Sequence, residues 1–186
     1  MRIIGILNLQ GDVEKHASVF KKLNAEIILV KNSDDLSKCD GLVFPGGESS
    51  TMKMMIEFSN LTNALTDFVQ KKPIFATCAG VVLLAKTILN DIPTKFAKLD
   101  ISVKRNGWGR QVHSFISEID FLGKSLEAVF IRAPKISEIG KLVTVLAKIE
   151  NEPVLIEQDN ILASTFHPEL SEHSVIQKYW LEKYFG

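Results

Sequence analysis

Apolar residues in the first ninety positions fall into short blocks separated by amphipathic stretches. The blocks "IIGILNL" (3–9), "EIILV" (26–30), "GLVFPGG" (41–47) and "PIFAT" (73–77) have the length and branched content of buried strands. Between the first two, Val13, Ala17, Phe20 and Leu23 recur at helical spacing within residues 12–25. A longer tract, with Met52, Met55, Ile56 and Leu65 among its apolar positions, predicts one helix from about Ser50 to Val69. "AGVVLLAKTI" (79–88) predicts another helix directly after the fourth strand. Strand alternating with helix implies βαβ units and a parallel sheet, with right-handed crossovers placing helices on both faces.

From about Leu99 the rhythm changes. "LDISVKRNGWGRQVHSFISEID" (99–120) reads as strand, glycine-rich turn and strand, an antiparallel hairpin. "LEAVFIRAP", "KLVTVLAKIE", "EPVLIEQ" and "NILASTF" read as further strands, and "ELSEHSVIQKYWLEKYF" (169–185) as a closing helix. The expected fold class is α/β: an open, doubly wound, mostly parallel sheet with an antiparallel hairpin region, formed by residues 1–186 as a single domain. Ligands of such sheets bind outside the carboxyl ends of the strands. The breaks after Leu9, after Phe44 and at Cys78 all fall at such ends.

Composition adds mainly exclusions. The chain is 46% hydrophobic and 24% charged, ordinary values for a globular protein. Lysine plus arginine and aspartate plus glutamate number 22 each, which argues against nucleic acid or an anionic membrane as partner. The two cysteines, Cys39 and Cys78, are far apart and make no disulfide framework. The apolar start is too short for a signal peptide, and no apolar run reaches the ~18 residues of a membrane span. The expectation is a soluble protein of the reducing cytoplasm.

Candidate chemistry centres on "TCAG" (77–80). A cysteine among small residues, at a corner between strand and helix, fits a nucleophile elbow. The thiolate is the reactive form of cysteine, and a helix N-terminus favours it. Ala79 N–H, next in the chain, suits an oxyanion, and Gly80 would allow a substrate to come close. The alternative is that Cys78 is a small core hydrophobe, as free cysteines commonly are.

A second piece is "TFHPEL" (165–170). His167 and Glu169 are two apart at a strand end, and Pro168 biases His167 toward extended geometry, so the carboxylate can orient the imidazole. Cysteine, histidine and carboxylate form a nucleophile, base and orienter set. The alternative is a surface "HPE" that opens a helix, with Glu169 favoured by its dipole. In the third piece, "FPGGESSTM" (44–52), Gly46 and Gly47 precede Ser49 and Ser50 at a helix start, an arrangement suited to an anion such as a carboxylate, or to plain capping. The segment lacks the lysine of a P-loop, and no GxGxxG occurs.

Taken in order, these pieces resemble the class I, triad-type glutamine amidotransferases, whose fold is flavodoxin-like. "LNLQGDVEKH", "PGGESSTM", "TCAG", "RNGWGRQVHSF", "FIRAP" and "TFHPEL" resemble more specifically the glutaminase subunits of pyridoxal 5′-phosphate synthase. The resemblance implies that Cys78 is the nucleophile, His167 the general base and acid, and Glu169 the group orienting His167. It implies L-glutamine binding by Gly47, Glu48, Ser49, Arg105, Ile131 and Arg132, with an oxyanion hole from the N–H groups of Gly47 and Ala79. Arginine suits the substrate carboxylate, and Glu48 either its ammonium or the holding of the loop. Without the resemblance, Arg105 and Arg132 would read equally well as solvated surface arginines.

The resemblance implies no metal or organic cofactor, and it implies that the ammonia passes to a (β/α)₈ synthase subunit that combines it with ribose 5-phosphate and glyceraldehyde 3-phosphate. In such proteins, docking to the synthase arranges the oxyanion hole; residues 10–16 are the candidate docking face. This chain departs from the usual pattern at Ala76, for glycine, at Gly107-Trp108, for Ala-Phe, and at His113, for aspartate. His16 and His113 read as packing or surface residues, His173 as part of the terminal helix, and Cys39 as structural. Two other functions fit less of the chain: a PfpI-like cysteine hydrolase and a non-catalytic regulatory subunit of the synthase.

Overall fold

The elements run β1 (Ile3–Leu7), α1 (Val13–Lys22), β2 (Glu26–Val30), α2 (Ser33–Ser37), β3 (Gly41–Phe44), α3 (Ser49–Phe58), α4 (Thr62–Lys71), β4 (Ile74–Thr77) and α5 (Ala79–Leu84). They continue with β5 (Ala85–Ile88), β6 (Leu99–Lys104), β7 (Ser114–Phe121), β8 (Lys124–Ile131), β9 (Lys135–Ile139), β10 (Thr144–Ile149), β11 (Glu152–Gln158) and β12 (Ile161–Ser164). A 3-10 turn at Pro168–Leu170 and helix α6 (Val175–Phe185) close the chain. This is a computed structural model, and it describes residues 2–108 and 114–186.

The main sheet has seven strands in the order β10-β11-β12-β4-β3-β1-β2. From β12 to β2 every pairing is parallel, while β10, β11 and β12 pair antiparallel. The chain runs outward from β1 to β2, then crosses back to β3 on the other side of β1, so strand order reverses between β1 and β3. Side chains alternate across the sheet as strand geometry requires. Leu7, Leu42, Phe44, Ile74, Ala76 and Ile161 face a core shared with α2, α3, α4 and α5. Ile4, Ile6, Val43, Phe75, Leu155 and Leu162 face a second core, covered by α1, α6 and the β7–β8 pair. Helices thus lie on both faces, as the strand–helix alternation implies.

Several predicted elements need correction. The single helix expected from about Ser50 to Val69 is two. Asn60 adopts φ 56°, its N–H bonds Glu57 O at 3.1 Å and the N–H of Leu61 bonds Ile56 O at 3.1 Å, a Schellman cap with asparagine in the left-handed position. Asn24 ends α1 in the same way, with φ 60°. The helix expected over 79–88 stops at Leu84, because its last carbonyls are taken from outside: Thr94 Oγ1 donates to Leu83 O at 2.7 Å and Lys98 N to Leu84 O at 2.9 Å. The chain continues extended as β5.

The hairpin expected over 99–120 does not form. Strand β6 pairs with β5 and β9, whereas β7 pairs with β8 across a two-residue turn, Leu122-Gly123, whose φ values are both positive. Helix α2 and strands β5 and β9 were not expected from the pattern. The terminal helix starts at Val175, so His173 precedes it. His113, read as a packing or surface residue, lies outside the described residues.

Helix α6 is anchored by Trp180, which is fully buried. Its indole N–H donates to Ile74 O at 3.0 Å, and its ring meets Phe20 at 5.6 Å and Phe75 at 5.8 Å between centroids. Trp180→Ala is expected to cost roughly 3–5 kcal/mol, read from urea unfolding followed by circular dichroism. An unchanged midpoint would mean that this contact does not hold the helix.

Candidate active site

Four strand ends converge at the switch point between β1 and β3: Gln10 follows β1, Gly47 to Ser49 follow β3, Cys78 follows β4 and His167 follows β12. Together with Ala79, Val82, Arg105, Asn106, Ile131, Arg132 and Pro134 they line a cavity of about 300 Å³. Every sequence-proposed site residue borders it except Glu169, which sits behind His167.

Cys78 occupies the corner with φ 47° and ψ −105°, outside the regions an L-residue favours. Its N–H is held by Ser164 O of β12 at 2.9 Å, and α5 begins at the next residue. A Cβ at Gly80 would overlap the carbonyl oxygen of Phe44. Gly80 is therefore required for packing α5 against β3. The Cys78 thiol donates to Ile131 O at 3.7 Å, a weak contact.

His167 reaches the same rim because β12 lies beside β4, with Ser164 opposite Thr77. Its N–H donates to Val129 O at 2.8 Å. Nδ1 meets Glu169 Oε1 at 2.7 Å, and Nε2 has no hydrogen-bond partner among the described residues. Gly46 borders both residues: a Cβ there would overlap His167 Cε1 and lie 3.4 Å from Cys78 Cβ. Burial opposes a charged imidazole, but the nearby Cys78 and the hydrogen-bonded Glu169 outweigh it and raise the pKa of His167 to about 10. Glu169 is 4% exposed. Burial favours its neutral form, but His16 and His167 prevail and pull its pKa down to about 2.

The remaining expected site residues divide by what their side chains do. The Glu48 carboxylate accepts from Ser50 N at 3.2 Å and from Thr51 N at 2.7 Å, capping α3. Of the two roles weighed for it, holding the loop is the one its contacts support. Its own N–H donates to Gln10 Oε1 at 2.8 Å, which fixes the loop after β3 to the loop after β1. Arg105 is not free in solvent: it pairs with Asp91 at 3.3 Å and donates to Ser50 Oγ, and to Ser49 Oγ at 3.4 Å. Arg132 has a left-handed backbone, φ 44°, at the end of β8.

Sequence reasoning placed His16 among packing or surface residues. The side chain is fully buried and touches the site from behind, with Nε2 3.4 Å from Glu169 Oε1 and 3.2 Å from Thr77 Oγ1. The available signal was its place, with Val13 and Phe20, on the apolar stripe of α1. Of the expected docking stretch 10–16, Val13 and His16 are buried, leaving Gly11, Asp12, Glu14 and Lys15 exposed. Cys39 is buried and free, and its Sγ donates to Asp35 O at 3.3 Å, consistent with a structural role. Among the described residues, no group of three or more His, Cys, Asp or Glu is gathered as for a metal.

The mostly parallel α/β sheet, with helices on both faces and a cleft at its strand ends, has the fold of the glutamine amidotransferases. The chain belongs to the SNO glutamine amidotransferase family, whose profile matches residues 6–185. It is 47% identical over 183 residues to the pyridoxal 5′-phosphate synthase subunit PdxT of Thermotoga petrophila, covering 96% of this chain and 97% of that one. The subunit of the same name from Francisella philomiragia is 43% identical over 178 residues, with the same coverage. A crystal structure described as a glutamine amidotransferase superposes with a TM-score of 0.91 at 38% identity, over 96% of this chain and 97% of the other.

The depressed pKa of Glu169 has a consequence for stability. Its ionised form stabilises the folded chain above the ordinary carboxylate pKa of about 4.5, and that contribution fades as the pH falls toward 2. Glu169→Gln is therefore expected to destabilise the protein most at neutral pH. The gap to wild type should narrow between pH 4.5 and pH 2 in urea unfolding; a gap independent of pH would contradict the paired, ionised carboxylate.

Proposed function

We propose that residues 1–186 form one glutaminase domain that hydrolyses L-glutamine to L-glutamate and ammonia through Cys78, His167 and Glu169. The ammonia supplies a pyridoxal 5′-phosphate synthase. The observation that carries this reading is the convergence on one cavity of a cysteine at a strained corner and a histidine held through Nδ1 by a buried carboxylate. Family membership and the near full-length likeness to subunits named for that synthase support the substrate and the destination.

In the proposed reaction, the Cys78 sulfur gives up its contact with Ile131 O and, as thiolate, attacks the side-chain carbonyl carbon of glutamine. Glu169 holds His167 with Nδ1 protonated and Nε2 toward the cavity, so Nε2 can exchange the proton. Backbone N–H groups of Gly47 and Ala79 receive the developing oxyanion. Collapse breaks the C–N bond while the proton on Nε2 goes to the leaving nitrogen, releasing ammonia and leaving a glutamyl thioester. Water then gives its proton to Nε2 and attacks the thioester carbon, and the thiol leaves with the proton returned. Arg105 and Arg132 have the charge to receive the α-carboxylate of glutamine, with Ile131 contributing backbone groups at the cavity wall. The raised pKa of His167 suits the acid step, because protonated Nε2 is then available to the departing nitrogen.

The proposed recipient of the ammonia is a (β/α)₈ synthase subunit that docks over the exposed part of the 10–16 stretch and the cavity rim. The proposed setting is the reducing cytoplasm, consistent with two free cysteines. Among the described residues no helix is long and apolar enough to cross a membrane.

Glutamate formation measured with the cognate synthase present is expected to disappear in Cys78→Ala while circular dichroism stays unchanged. Full activity in that variant would overturn the reading. Wild type is expected to gain glutaminase activity when synthase is added; high activity alone, unaltered by synthase, would contradict the docking part.

A further inference from the structure

His16 is a buried imidazole that the reaction above does not use. It projects from α1, on the face of the sheet that also carries Phe75, and its ring meets Phe75 edge-on at 6.3 Å between centroids. Nε2 lies 3.4 Å from Glu169 Oε1, the same oxygen that His167 Nδ1 approaches at 2.7 Å. An ionised carboxylate can only accept, so this contact holds Glu169 when the Nε2 facing it carries the ring proton. Thr77 Oγ1, 3.2 Å from that Nε2, belongs to the residue directly before the proposed nucleophile. Nδ1 of His16 and Oε2 of Glu169 have no hydrogen-bond partner among the described residues. Among those residues, the contacts of the carboxylate are thus its two histidines, both through Oε1.

We infer that His16 is a positioning residue for the proposed reaction: its Nε2–H anchors Glu169 from behind, so that Oε1 stays turned toward His167 Nδ1. A glutamate side chain has three rotatable bonds, and the short turn Pro168–Leu170 fixes only its backbone. Held by His167 alone, the carboxylate would orient a ring that is equally free to follow it. A second donor from a different element, α1, breaks that symmetry and ties the imidazole to the scaffold. Contact with Thr77 fixes the same donor to the end of β4, one residue from Cys78. Nucleophile and base are thereby referred to a common point.

This inference rests on the proposed glutaminase reading, and the experiment separates the two. Glutamate production with the cognate synthase is measured for wild type, Cys78→Ala, His16→Leu and His16→Gln. Glutamine places its side-chain amide nitrogen near the position of histidine Nε2 and can donate toward the same carboxylate oxygen; leucine cannot. His16→Leu is expected to lower kcat about tenfold or more with KM within about twofold, the size of effect that loss of an orienting partner produces. His16→Gln is expected to restore kcat to within about threefold of wild type, since the donor is regained. Equal loss in both variants, or a loss expressed in KM, would overturn the positioning role. Activity retained in Cys78→Ala would instead overturn the underlying reading.

Nitrogen NMR of histidine-labelled protein covers the case in which His16→Leu fails to fold. Glu169→Gln is expected to shift the ring resonances of both His16 and His167, whereas Cys78→Ala shifts mainly those of His167. A His16 ring indifferent to Glu169→Gln would remove the contact on which the inference stands.

Discussion

The site depends on one backbone constraint, the positive φ of Cys78. An L-residue in such a conformation costs on the order of 1–3 kcal/mol and persists only where the surroundings impose it. Here they do so from three directions. β4 delivers the chain through a parallel ladder, Ser164 O of β12 takes the Cys78 N–H, and α5 must start at once because Gly80 is pressed against Phe44. Relaxing the corner would pull α5 off β3 and turn the sulfur out of the cavity. Six consecutive buried residues, Ala79–Leu84, hold it in place.

Given that corner, sheet order does most of the remaining assembly. Because β12 is the neighbour of β4, a histidine three residues past Ser164 arrives beside a cysteine one residue past Thr77, though 89 positions separate them in the chain. Because β3 flanks β4 on the other side, Gly46 comes against the His167 ring, where no side chain fits. The electrostatics follow from burial. A carboxylate out of water between two imidazoles stays charged only through them, and in turn raises the pKa of the one that faces the cavity. The other cysteine shows the contrast. Burial, with Asp35 and Asp40 nearby, pushes the Cys39 thiol up to about 11, which disfavours the reactive thiolate.

Much of this was legible in the sequence because it is written in local patterns. The four short apolar blocks became β1 to β4, and the strand–helix alternation fixed the parallel sheet and its two helical faces. The cysteine corner, the glycine pair and the spacing of His167 to Glu169 are each contained within a few residues. What escaped depends on partners far away. The helix over 79–88 ends at Leu84 because residues 94 and 98 capture its carbonyls, and no property of 79–88 itself announces that. Strand β6 finds its partners in β5 and β9 instead of the strand that follows it. The break at Asn60 was visible in principle, since asparagine tolerates the left-handed cap, but apolar residues on both sides of it read as one helix. His16 is the instructive case: at helical spacing with Val13 and Phe20 it reads as packing, and only tertiary structure reveals that it packs against a charge.

The most direct test of the central claim is to locate the covalent adduct formed with an electrophilic glutamine analogue. Protein incubated with the analogue in the presence of its cognate synthase, then digested and analysed by mass spectrometry, is expected to carry the label on Cys78 and not on Cys39, with excess L-glutamine suppressing it. Label confined to Cys39, or no label on Cys78 in protein that is fully active, would contradict the account.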